Sequence, residues 1–302
     1  MTATSSLPSP LALSPAPATD LLSLRAELDR LDDALHDMLV RRAAVVAQVG
    51  ALRVKGLVPL RPGREASILR RLMARGDGAL PALAIVRIWR ELLATSTAQQ
   101  RPTLVTVCEA GGDPAYMAAA REHFGALTPL RAHRTPAQAI SEVSAGIATV
   151  AVLPMPAEDE ALPAAWWTAL LHKDDPRIHI VARLPFWAPR PEGSPKVQAM
   201  VVSAAAPDPS GHDRSLLGLE LPLEVSRARL GTALAAVGFG AGTTILRRDV
   251  GAPVAYALVD VDGFVADGDP RLAGLRPMLR PPVVLGAYAV PLTGEPTWNQ
   301  GA

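Results

Sequence analysis

An arginine stands where an apolar residue is due. Apolar side chains recur at Leu21, Leu24, Leu28, Leu31, Leu35 and Met38, and again at Val45, Val49 and Leu52, in the alternating three-and-four spacing of a coiled-coil seam. Counting on from Met38, the next apolar position falls on Arg42. Two readings stay open. The guanidinium can snorkel to water along its own stem, or it can point inward and be neutralised by an anionic ligand, because a buried charge without a partner is costly. Arg53 follows eleven residues later, close to three full turns, which puts it on the same face about 16 Å along the axis. Two such side chains could grip opposite ends of one small anion. Arg25 lies seventeen residues before Arg42, about 25 Å away, and reaches that ligand only from an antiparallel partner helix. A later helix carries a second exception: the stripe Val86, Trp89 and Leu93 continues at helical spacing as Ser96 and Gln100, either a frayed end or a polar extension of an inward face.

These residue types suit holding and orienting a charged small molecule. No convincing nucleophile–base triad or metal-ligand cluster competes with that reading. Asp260 and Asp262 could suggest a metal, but acids at a strand edge and turn account for them. Gly111 and Gly112 could cradle an anion or make a tight turn.

The elements that must carry these side chains are three helices. Asp20 is a plausible N-cap for a helix that runs to about Arg53, after which Gly56 and Pro59 break it. Pro62 and Gly63 read as a turn before a short helix with Arg64, Glu65, Ile68, Leu69, Leu72 and Met73, which stops at Gly76 and Gly78. The third helix follows Pro81. A first helix of this length cannot be covered by its own small domain; a second copy of itself is the simplest partner.

The stretches LRAELDRLDDALHDMLVRRAAVVAQVGALR, RPGREASILRRL and IWRELLATSTAQQ resemble the all-helical class of chorismate mutases over residues 21–101. The resemblance implies a three-helix protomer in an intertwined homodimer, with the long N-terminal helix at the interface. It implies conversion of chorismate to prephenate in aromatic amino-acid biosynthesis, with no cofactor and no metal. Arg25, Arg42, Arg64, Glu65 and Ser96 match substrate-binding positions, Arg25 crossing to the partner's site. Arg53 and Gln100 match the cation and amide donor at the ether oxygen that gains charge as its bond breaks. Arg53 stands where the family usually has lysine. The usual aspartate before the Arg-Glu pair is absent, with Arg61 nearest that place, which bears on recognition of the ring hydroxyl; Glu65 could still accept that hydrogen bond. Two other readings remain: an isochorismate pyruvate lyase-like enzyme on the same helical fold, and a non-catalytic dimeric module sensing an aromatic metabolite.

Residues 103–302 read as α/β. TLVTV, ATVAVLP and IHIVARL are strands; DPAYMAAAREHFG and PAQAISEVSAG are helices. This ordering resembles prephenate dehydratase over 103–195, in degenerate form: the segment for its second lobe is too short and its Thr-Arg-Phe signature is missing, so dehydratase activity is not expected. From Gln198 to Leu272, QAMVVSAA, RARLGTALAAVGF, TTILRRD and AYALVDVDGF give β-α-β-β, resembling an ACT-like unit. The expected organisation is therefore multi-domain. It comprises a disordered tail at 1–19, an all-α domain at 20–101, an α/β region at 103–195, an ACT-like α+β unit at 196–290 and a tail at 291–302.

Composition sets the outer bounds. The 302 residues carry a net charge of +1, with 49% hydrophobic residues, a chain able to bury a core. Residues 20–101 hold 14 Lys/Arg against 9 Asp/Glu, a basic unit whose partner is expected to be an anion. Interleaved acids and the lack of an aromatic platform argue against nucleic acid. The single cysteine, Cys108, excludes an internal disulfide and suits a reducing cytoplasm. The longest uncharged apolar stretch, Val143 to Ala157, is broken by Pro154 and Pro156 and is too short to span a membrane.

Overall fold

The computed structural model describes residues 20–52, 59–75 and 80–293. The expected tail at 1–19, the helix breakers Gly56, Gly76 and Gly78, and Arg53 lie outside the described residues, as does most of the expected 291–302 tail. The chain divides into two compact units, before and after residue 53.

The described part of the first unit is one helix, α1 (Leu21–Ala51). Asp20 caps it, its carboxylate accepting from the Leu22 N–H at 3.2 Å. None of its residues is buried: Leu24, Leu28, Leu31, Leu35, Met38, Val45 and Val49 are all exposed. The apolar seam expected from the spacing is thus an exposed stripe interrupted at Arg42, on a helix about 46 Å long at 1.5 Å per residue.

The second unit opens with α2 (Pro62–Met73) and α3 (Ala82–Gln100). Pro62 and Gly63, expected as a turn, form the first helical turn of α2, since proline's fixed φ suits that position. There follow β1 (Val105–Cys108), α4 (Ala115–Phe124), β2 (Leu130–His133), α5 (Pro136–Ser144), β3 (Val150–Pro154), β4 (His179–Leu184), β5 (Trp187–Ala188) and β6 (Ala199–Ser203). The rest comprises β7 (Asp213–Leu221), α6 (Arg227–Ala236), β8 (Ala241–Arg247), β9 (Ala255–Asp262), α7 (Pro270–Gly274), β10 (Val283–Ala289) and β11 (Leu292–Thr293).

Among the described residues nine strands make one sheet in the order β2-β1-β3-β6-β4-β10-β7-β9-β8, and β5 with β11 makes a two-stranded parallel sheet. Strands β1, β2 and β3 are parallel, joined through α4 and α5, whereas β6 runs antiparallel to both β3 and β4. The last four strands form a split βαβ arrangement of the ferredoxin type, β10-β7-β9-β8, with every neighbouring pair antiparallel. Its opening strand is β7, not the QAMVVSAA segment: that segment is β6 and belongs to the other half. The stretches 103–195 and 196–290 therefore share one sheet. β6 pairs with β3 and β4, and the ferredoxin-type half joins through the parallel pairing of β10 with β4 at Gly286 and Ile180.

The core lies on both faces of this sheet. Trp167, Ile180, Met200 and Tyr288 anchor one cluster, and Leu217, Leu219, Leu230 and Leu234 another. Residues 155–178, between β3 and β4, hold only short 3-10 turns at Leu162–Ala164 and Trp166–His172. Gly111 and Gly112 make the turn after β1, both at positive φ (65° and 75°), where L side chains are strained. Asp260 and Asp262 are ion-paired with Arg214, whose Nε lies 2.7 Å from Asp260 Oδ1. The helices α2 and α3 are part of the same unit as the sheet: Ala66, Leu69 and Val86 pack with Phe186, Trp187, Ala289 and Leu292.

Candidate active site

The six described candidate residues sit on three helices. On α1, Arg25 is exposed and Arg42 is half-buried. The other four belong to the second unit. Arg64 and Glu65 are in the first turn of α2, and Ser96 and Gln100 occupy the last two turns of α3.

The end of α3 is polar on an inward face, not frayed. Ser96 is buried and its hydroxyl donates to the Leu92 carbonyl. Gln100 donates from Nε2 to the Ser96 carbonyl at 2.8 Å. That acceptor fixes the orientation of the amide, since a flipped group would set two acceptors against each other. Gln100 Oε1 is then buried without a hydrogen-bond partner. The small polar pair at i and i+4 thus presents one ordered amide beside one ordered hydroxyl.

Glu65 leads into the interior. Its Oε2 accepts from Arg90 Nη1 at 3.0 Å, with Arg90 6% and Glu65 15% exposed in their side chains. The Arg90 guanidinium lies 4.8 Å from the centroid of Phe186, and its Nη1 is 3.4 Å from His123 Nε2 on α4. A guanidinium has only donors, so that histidine nitrogen must accept and the proton sits on Nδ1. Burial raises the Glu65 carboxyl pKa and lowers that of Arg90, each opposed by the charge of the other. Burial, with Arg90 beside it, holds the His123 ring well below 6.5; it is a neutral imidazole.

Arg64 is exposed, and its backbone is tied down instead. Its N–H and that of Gly63 each donate to the Asp208 carboxylate at 3.0 Å.

Arg90, His123, Phe186 and Asp208 were not among the residues marked from the sequence. Arg90 carried a usable signal: it falls at helical spacing between Val86 and Leu93, a charge interrupting an apolar stripe as Arg42 does on α1. His123, Phe186 and Asp208 carry no local sign of their role, because their partners lie far away in the chain.

The family model for chorismate mutase type II matches residues 24–101. This segment is similar to chorismate mutase type II domains. All six described candidates fall inside the mutase segment, and so does Arg53. The chain is also 30% identical over 144 residues to the bifunctional chorismate mutase/prephenate dehydratase of Pseudomonas aeruginosa, covering 45% of this chain and 38% of that protein. The counterpart of the same description in Neisseria gonorrhoeae is 31% identical over 105 residues, covering 35% and 28%. The chain spans less than half the length of these curated relatives. A solved prephenate dehydratase from Streptococcus mutans overlays 63% of this chain and 98% of its own, with a TM-score of 0.46 and 16% identity.

Proposed function

We propose that this protein is a chorismate mutase, converting chorismate to prephenate in aromatic amino-acid biosynthesis. The observation that carries the reading is the match of residues 24–101 to the chorismate mutase type II model. The rearrangement is concerted, with no covalent intermediate and no proton transfer. The site therefore has to hold the enolpyruvyl arm over the ring and supply charge where charge develops. Arginine forks suit the two carboxylates because each accepts paired hydrogen bonds. Arg42 and Arg64 take that part, with Arg25 entering from a second copy. Ser96 lends its hydroxyl to substrate binding. Glu65 Oε2 is engaged by Arg90, and its Oε1 would accept from the ring hydroxyl. Arg53 and Gln100 stabilise the ether oxygen as negative charge grows on it, more strongly in the transition state than in the ground state. The planar fork of Arg53 directs its donors differently from a lysine ammonium, so altered efficiency is expected.

The working unit in this reading is a homodimer through α1. Its support is the exposed stripe from Leu24 to Val49 along a helix with no buried residue; apolar surface on that scale marks an interaction face. Among the described residues no helix is long and apolar enough to cross a membrane. We place the protein in the cytoplasm, where the buried, unpaired Cys108 would stay reduced. The sheet region is taken as a scaffold or regulatory part without dehydratase activity.

The test is prephenate formation from chorismate by the wild-type chain and by Arg42→Ala. Activity in the wild type, lost in the variant with the dimer intact, is the expected result. Salicylate and pyruvate from isochorismate would indicate the lyase reading. No acceleration at any concentration would leave a non-catalytic module.

A further inference from the structure

We propose that Asp208, in the loop between β6 and β7, is a positioning residue for the mutase site. The inference rests on the mutase reading given above. Helix α2 begins without a cap of its own, because Arg61 at its N-cap makes no side-chain hydrogen bond there. The missing acceptor comes from 144 residues downstream. Asp208 Oδ1 accepts from the Gly63 N–H and Oδ2 from the Arg64 N–H, each at 3.0 Å, and Arg61 Nε stands 3.3 Å from Oδ2. A carboxylate on the free N–H groups of a helix start is favourable both as an acceptor and against the helix dipole.

The grip extends down one face of α2. Ser67 Oγ lies 3.0 Å from the Ser210 carbonyl, and Arg70 donates to Ser210 Oγ at 2.8 Å, to the His212 carbonyl at 3.0 Å and to the Val290 carbonyl at 2.8 Å. Positions 63, 67 and 70 are neighbours on a helix surface, so the loop holds a row and not a single point. The loop is itself stiffened by Asp213, which accepts from the Ser210 and Gly211 N–H groups. The approach is close enough to require glycine: a Cβ at Gly63 would lie 2.0 Å from the Asp208 carbonyl oxygen. Arg64 and Glu65 are the residues that this capped turn carries. The α/β region thereby sets where the head of α2 places its guanidinium and carboxylate, and the two parts of the chain are one device.

The experiment compares wild type, Asp208→Ala, Asp208→Asn and Gly63→Ala in the full chain, reading chorismate kinetics and amide hydrogen exchange at the head of α2. Asp208→Ala is expected to raise KM about tenfold, the size of one lost helix cap, with kcat within about twofold and faster exchange at Gly63 and Arg64. Asp208→Asn keeps one acceptor and sets an N–H donor against the other amide, so its KM and exchange should fall between wild type and Asp208→Ala, and Gly63→Ala should reproduce the alanine result. Faster exchange with an unchanged KM would overturn the positioning role, and unchanged exchange would overturn the cap itself. Should Asp208→Ala fail to fold, the asparagine variant decides: a KM and exchange equal to wild type at both amides overturns the proposal. A wild type that makes no prephenate defeats the mutase reading and the positioning role with it, while exchange still reads the cap.

Discussion

Arg90 and Glu65 meet at 3.0 Å inside the second unit, joining α3 to α2 with the ring of Phe186 beneath the guanidinium and neutral His123 beside it. Neither charge is at the surface, so each depends on the other. Removing one partner of such a pair leaves the other uncompensated, at a cost of about 3–5 kcal/mol. Arg90→Met should lower the unfolding free energy by that amount in urea titration. Arg90→Met combined with Glu65→Gln should recover a substantial part, because the stranded charge is gone; equal loss in single and double variants would show that packing, not charge, dominates.

His123 gives a pH dependence of known sign. Folding holds its ring well below 6.5, so below that pH the unfolded chain binds a proton that the folded chain refuses. Stability is therefore full above pH 6.5 and falls as the pH drops. The urea midpoint should decline between about pH 7 and about pH 5, and His123→Gln should flatten that slope. An unchanged slope would mean that acid sensitivity in this range arises elsewhere.

The exposed stripe on α1 makes a separate prediction. Leu28 and Leu35 are 60% and 54% exposed on the face expected to meet a second copy. Leu28→Lys with Leu35→Lys should convert a dimer to a monomer in sedimentation velocity, and prephenate formation should fall with it because Arg25 could no longer cross. A dimer that survives both changes would put the interface elsewhere.

In the mutase reading, Gln100 bears on chemistry more than on binding. Gln100→Ala should lower kcat by about 10²–10³, the range seen when one preorganised donor to a developing oxyanion is removed, with KM little changed. The reading fails if KM carries the loss.

Gly286 tests the joint of the sheet. Its φ of 145° and its approach to β4, where a Cβ would lie 2.0 Å from the Ile180 carbonyl oxygen, leave no room for a side chain. Gly286→Ala should cost at least about 3 kcal/mol, read as a lowered thermal midpoint, whereas Gly146→Ala, in open space, should cost less.

What could be read from the sequence follows the range of the interactions. The helices were legible because Asp20, the Leu24 to Val49 seam and the stripe from Val86 to Gln100 are local patterns. Strands β1, β3 and β4 were legible as apolar runs. Strand β2 was not: it is a four-residue edge, largely exposed, with little apolar content. The LLGLEL run of β7 and the VVLGAYA run of β10 lack the two-residue alternation that marks a half-buried strand, since both are buried on two faces. The candidate site divides the same way. Arg64, Glu65, Ser96 and Gln100 stand at spacings that the helix itself imposes, whereas Asp208 and His123 acquire their roles only when remote segments come together.

Strand β10 lies between β4 and β7 yet is the last of the nine to be synthesised. Until it emerges, a nascent chain holds two half-sheets whose facing rims are bare rows of amide and carbonyl groups, the kind of surface that seeks any available strand. Biogenesis therefore has a vulnerable interval in which a chaperone would be of most use, and it closes when a single late segment slots into the middle.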